Sequence, residues 1–109
     1  MNIHDKAYEL AAAIKESDEW KAIQEAQKIL QKDKKIEEMY VALRTKQMEL
    51  QQKQLAGIEV SEAEITGWQK QFEITMMHTD VKKLMEAENR LSVILEDVQK
   101  ILFEAISRQ

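Results

Sequence analysis

Residues 80–107 read DVKKLMEAENRLSVILEDVQKILFEAIS, and their spacing decides the fold class. Val81, Leu84, Glu88, Leu91, Leu95, Val98, Leu102 and Ala105 follow one another at alternating steps of three and four. That is the heptad seam of a helix packed along another helix. Met85, Ile94, Ile101 and Ile106 widen the seam. A helix resting on one core needs an apolar arc of about 100°. The arc made by Leu84, Met85, Leu91, Ile94, Leu95, Val98, Ile101, Leu102 and Phe103 is wider, so part of it is expected to meet a second chain. Glu88 is the carboxylate on this seam. A charge there is costly unless it meets a donor or water; it reads either as a partly exposed seam residue or as one that sets register or association state as polar seam residues do. Arg44 and Lys53 are its candidate partners in the sequence. Leu84, Glu88, Leu91, Ile94, Leu95, Val98, Ile101, Leu102 and Phe103 are therefore the interface candidates.

Working outward, the rest of the chain is also helical. Proline is absent, glycine occurs only at Gly57 and Gly67, and strand-rich domains need turn residues far more often. Asn2 can cap a first helix carrying Ile3, Ala7, Leu10 and Ile14 at helical spacing. Ser17-Asp18 offers a second cap, for a helix with Trp20, Ile23, Ile29 and Leu30 on its apolar side. Asp33 caps a third, with the stripe Ile36, Met39, Tyr40, Leu43, Gln47, Leu50 and Leu55. Gly57 is expected to end it in a left-handed conformation. Ser61-Glu62-Ala63-Glu64 is a capping box flanked by Val60 and Ile65 as a hydrophobic staple, so residues 57–61 turn one helix back on the next. The fourth helix carries Ile65, Trp68, Phe72 and Met76, and the weak point Met77-His78-Thr79-Asp80 breaks it from the fifth. The expectation is an all-α fold, a single domain over residues 1–109 in a compact bundle of about five helices, with a central antiparallel hairpin and a long C-terminal helix.

Composition excludes several functions. The chain has 109 residues and no cysteine, which rules out disulfides, thiolate metal sites and thiol catalysis within it. The net charge of −4 weighs against direct nucleic-acid binding, which favours a basic face. The start Met1-Asn2-Ile3-His4-Asp5-Lys6 lacks the pattern of a secretory leader, and no run approaches the length of a membrane span. These absences point to the cytoplasm.

No constellation for catalysis, cofactor or metal emerges. His4 and His78 are the only histidines, and neither follows a glutamate by three residues, the spacing of carboxylate-bridged metal sites in helical bundles. Glu86 and Glu88 are two apart and point to different faces of a helix. Gln31-Lys32-Asp33-Lys34-Lys35 lacks the glycines of a phosphate cradle and reads as a solvated loop. Trp20 and Trp68 fall on apolar stripes and read as core. Gly67 inside a helix either permits close helix approach or is tolerated.

Leu50-Gln51-Gln52-Lys53-Gln54-Leu55-Ala56-Gly57, Val60-Ser61 and Leu84-Met85-Glu86-Ala87-Glu88-Asn89-Arg90-Leu91-Ser92 resemble the YheA family, a branch of the YlbF/YmcA-like helical proteins of Firmicutes. Ala7-Tyr8-Glu9-Leu10 and Ser17-Asp18-Glu19-Trp20 are similar to that family's start. The resemblance implies a helical bundle that dimerises. The relatives YlbF and YmcA act in a complex that modulates messenger RNA processing by a membrane-attached endoribonuclease, and influence biofilm formation, competence and sporulation. That complex is associated with iron–sulfur clusters and uses cysteines, which this chain lacks, so the cluster role does not carry over. The expected function is a non-enzymatic homodimeric adaptor for an unidentified protein partner. The alternative is a cofactor-free regulatory subunit of an RNA-processing complex.

Overall fold

The computed structural model describes residues 2–108; Met1 and Gln109, the ends of the expected domain, lie outside the described residues. Five helices follow in order: α1 (Ile3–Glu16), α2 (Asp18–Gln31), α3 (Lys34–Leu55), α4 (Glu62–Met76) and α5 (Thr79–Ser107). The described residues contain no strand. The fold is all-α, as the sequence leads one to expect.

The boundaries have local causes. The Asn2 side chain accepts from the His4 backbone N–H at 2.8 Å, satisfying one of the donors left open at a helix start. Ser17 serves two helices. Its backbone N–H bonds the Ile14 carbonyl, closing α1, and its hydroxyl accepts from the Trp20 N–H at 3.2 Å, opening α2. Asp33 accepts from the N–H groups of Lys35 at 3.1 Å and Ile36 at 3.3 Å. At the far end of α3, Gly57 has φ +74°, and the Ile58 N–H reaches back to the Lys53 carbonyl at 2.8 Å. That closes a Schellman-type end that a left-handed residue permits. Ser61 Oγ accepts from the Glu64 N–H at 3.2 Å and starts α4. The break near His78 is real: α4 ends at Met76 and α5 begins at Thr79.

The sequence suggests one domain; the contacts cluster in two units, Met1–Gln27 with Lys83–Gln109, and Lys28–Lys82. In the second unit α3 and α4 form the expected antiparallel hairpin. Leu43 in the middle of α3 is buried, and its carbonyl accepts from Trp68 Nε1 at 3.3 Å. Trp68 stacks on Phe72 with centroids 5.3 Å apart. Thr75, fully buried, donates its hydroxyl to the Gln71 carbonyl at 2.7 Å, so its burial leaves no donor unsatisfied. Lys53 Nζ and the Glu64 carboxylate meet at 2.9 Å beside the turn. In the first unit Ile23 and Ala26 of α2 and Leu84, Ala87 and Leu91 of α5 are buried.

Two expectations need correction. Trp68 and Trp20 are half-buried rather than core. Leu55 does not continue the α3 stripe, because its position turns it to the opposite side with Val41 and Met48, where it is exposed. Of the two readings of Gly67, the structure favours tolerance over close approach, since a Cβ added there would meet nothing within 4 Å.

Candidate protein-interaction surface

The first unit carries the seam of α5, and burial along it changes steadily. Leu84 is 1% exposed, Leu91 9%, Leu95 42% and Leu102 52%. These residues share one side of the helix, since seven- and eleven-residue steps return to nearly the same angle at about 100° per residue. The seam does not change character; its cover ends. Where it is covered, Trp20, Ile23 and Gln27 of α2 face Glu88, Leu91, Ser92 and Leu95 across a shallow groove.

The candidate residues therefore separate. Leu84 and Leu91 are buried within the chain and unavailable to another. Ile94 and Val98 are half-buried. Leu95, Ile101, Leu102 and Phe103 are exposed. Glu88 is half-buried and is not without a partner. Of the two cations considered for it, Lys53 is engaged by Glu64. Ile106 extends the exposed group by a turn.

α1 lies in the same unit and buries no residue. Its Ile3, Ala7 and Leu10 recur at helical spacing and, with Lys6 and Leu102 of α5, line an apolar groove of about 390 Å³. Ile3 and Tyr8 are among the most exposed large side chains of the chain. A helix of this length is marginal in water without tertiary cover. The uncovered apolar side chains of α1 and distal α5 together expose an area on the order of 1,000 Å², and those of Ile3, Ala7, Leu10 and Leu102 meet in that one groove. The α1 contribution went unnoticed in the sequence because its stripe reads like that of any core-facing helix.

A second exposed group lies outside the candidate residues. Val41, Thr45, Met48, Gln52 and Leu55 of α3 are all exposed, and their four-three-four-three spacing is visible in the sequence. It was masked by the Ile36–Leu50 stripe on the other side of the same helix.

The polar residues weighed for chemistry do not converge. Among the described residues no group of three or more His, Asp or Glu side chains could hold a metal ion. The groove lined by Lys46, Ala63, Glu64, Gly67, Trp68 and Gln71 holds one carboxylate, Glu64. The hydrogen bond from Lys53 keeps it below the ordinary carboxyl pKa against a smaller opposing effect of burial, so it is suited to an ion pair rather than to taking up a proton. No helix among the described residues is long and apolar enough to cross a membrane.

Comparison with known proteins shows what the sequence and the fold are similar to. The family model described as "Control of competence regulator ComK, YlbF/YmcA" matches residues 3–107. A UPF0342 protein of Alkalihalophilus pseudofirmus is 44% identical over 105 residues, covering 96% of this chain and 89% of the relative. A UPF0342 protein of Shouchella clausii is 40% identical over 107 residues, covering 98% and 91%. Among solved structures, a protein of unknown function (DUF964) from Bacillus stearothermophilus superposes with a TM-score of 0.84 at 25% identity, covering 95% of this chain and 91% of that one.

Proposed function

The chain belongs to the YlbF/YmcA family, and we propose that it acts there as a non-enzymatic, homodimeric protein-interaction module, an adaptor or regulator of the YheA type working in the cytoplasm. The observation that supports this reading is the uncovered apolar surface of α1 and distal α5. Leu95, Ile101, Leu102, Phe103 and Ile106 of α5 and Ile3, Tyr8 and Leu10 of α1 are exposed, and Leu102 shares one apolar groove with Ile3, Ala7 and Leu10. Each partner in a standard protein interface presents about 800 Å², and the uncovered side chains of the two helices summed together reach that order. A second copy is the simplest cover, because a two-fold axis sets the same patch against itself and extends the covered α5 seam in kind. The family's description ties it to control of the competence regulator ComK. For this chain that favours regulation through contact with a protein partner over chemistry, with the whole of residues 1–109 as one domain.

Sedimentation equilibrium at micromolar concentration tests the reading. The expected mass is about twice 12.8 kDa, shifting toward the single-chain mass in Leu102→Lys. A 12.8 kDa species for the unaltered chain contradicts it. RNA binding with a steep salt dependence would favour a regulatory subunit of an RNA-processing complex instead.

A further inference from the structure

We propose that the homodimer is built on an antiparallel pair of distal α5 helices in one register, with Val98 of each copy on Leu102 of the other. The inference rests on the homodimer reading above and adds the direction and register of the two chains. At about 100° per residue, Ile94, Leu95, Val98, Ile101, Leu102 and Ile106 share an arc of about 140° on α5. Glu96, Asp97, Lys100 and Glu104 all lie outside that arc. The positions flanking the seam of a helix pair usually carry charges. Here they are Ile94, Gln99, Ile101 and Ile106. A second copy of the same helix therefore meets no like charge across this face, and each copy supplies the apolar surface that the other lacks.

α2 decides the direction. Trp20, Ile23 and Gln27 face Glu88, Leu91, Ser92 and Leu95, so the seam before Leu95 is occupied by the chain's own helix. In a parallel pair both copies of α2 would reach the seam at the same level and crowd the two Leu95 side chains. In an antiparallel pair they stand at opposite ends. Each seam then passes from α2 of its own chain to α5 of the other.

The register follows from the same cover. Seam residues of antiparallel helices change partners in steps of one heptad. With Val98 on Leu102 of the second copy, Leu95 lies on Ala105, and Ile101 meets its own copy at the two-fold axis. Sliding the helices one heptad further together sets Leu102 on Leu91, which is 9% exposed and already packed, and Ala105 on Glu88. Sliding them one heptad apart leaves Leu102 and Ala105 as the only seam contact and abandons Leu95 and Val98. The proposed register alone uses the uncovered seam without displacing α2. Leu102 also shares a groove with Ile3, Ala7 and Leu10, which puts α1 along one edge of the pair.

The test uses the full chain, which has no cysteine of its own, in a glutathione redox buffer. Two cysteines bridge only when their Cα atoms come within about 7 Å. Val98→Cys and Leu102→Cys should each fail to form a covalent dimer alone, because like residues are offset by about 6 Å along the axis. An equal mixture of the two should form one. Ile101→Cys, at the two-fold axis and 65% exposed in the single chain, should be joined to its own copy by a short bis-maleimide, and Lys100→Cys, on the far side of the helix, should not. This second pair leaves Val98 and Leu102 in place and reads the register even where thiols on the seam weaken pairing. A covalent dimer from Leu102→Cys alone means parallel helices and overturns the proposal. So does a doubled mass with no bridge in the mixture and none at Ile101→Cys. Either result leaves the homodimer standing. A 12.8 kDa mass for the unaltered chain removes the homodimer and this inference with it.

Discussion

Lys53 Nζ lies 2.9 Å from the Glu64 carboxylate, joining the last turn of α3 to the first turn of α4 across the turn that contains Gly57. The hydrogen bond from Lys53 is the main reason the Glu64 pKa falls below its ordinary 4.5; burial opposes it, and the Ser61 backbone N–H adds a smaller lowering. A carboxyl whose pKa is depressed in the folded chain stabilises it above the unfolded pKa. That contribution is lost as pH falls through the folded value. Glu64→Gln should therefore melt below the unaltered chain at pH 7. The difference should close as pH drops below 4.5. Thermal melts of both proteins across this range check the sign; a difference that stays constant with pH would place the stabilisation elsewhere.

The two glycines should respond oppositely to alanine. Gly57 has φ +74° with open space around it, so Gly57→Ala meets no clash but takes on the left-handed backbone, at a cost of about 1–2 kcal/mol. Gly67 lies inside α4 with nothing within 4 Å of an added Cβ. Gly67→Ala should stabilise by about 1 kcal/mol through helix propensity. Urea denaturation at fixed protein concentration measures both. Ser61→Ala, removing the cap of α4, should cost about 1 kcal/mol in the same assay.

Helix boundaries were legible because their causes are local. Asn2, Ser17, Asp33 and Ser61 each cap the helix start that their sequence context suggests, and Gly57 adopts the positive φ that its position requires. Burial along a seam was not legible. A heptad pattern gives Leu84, Leu91, Leu95 and Leu102 the same standing, but which of them is covered depends on how far the facing helix extends. α5 has 29 residues and α2 has 14. The pattern therefore named the right side of α5, while only the structure separates Leu84 and Leu91 from Leu95 and Leu102. On α3 the Ile36–Leu50 stripe accounts for the packed side only, and Leu55 falls in register with Val41 and Met48 on the other.

Leucines on the two sides of α3 should differ sharply. Leu43 is 1% exposed and Leu55 89%. Leu43→Ala removes a packed side chain and should cost about 2–5 kcal/mol, whereas Leu55→Ala should stay within about 0.5 kcal/mol. Denaturant midpoints for the pair test the assignment of the two faces, and similar losses at both positions would contradict it.

Trp68 contributes through its ring and one hydrogen bond. Trp68→Phe retains the aromatic contact with Phe72 but loses the 3.3 Å bond to the Leu43 carbonyl. The expected loss is about 1 kcal/mol, with the helical content unchanged by far-ultraviolet circular dichroism. A loss several times larger would mean that the indole fills space the phenyl ring does not.

The central claim is that a second copy covers α1 and the distal half of α5. Amide hydrogen exchange followed by mass spectrometry over a series of protein concentrations tests it most directly. α1 buries no residue in the single chain, so protection of residues 3–16 and 95–106 should rise together with the dimer fraction, while the buried stretch around Leu84 stays protected throughout. If the mass doubles while exchange in α1 and distal α5 stays fast and unchanged, another face makes the dimer and the claim is wrong.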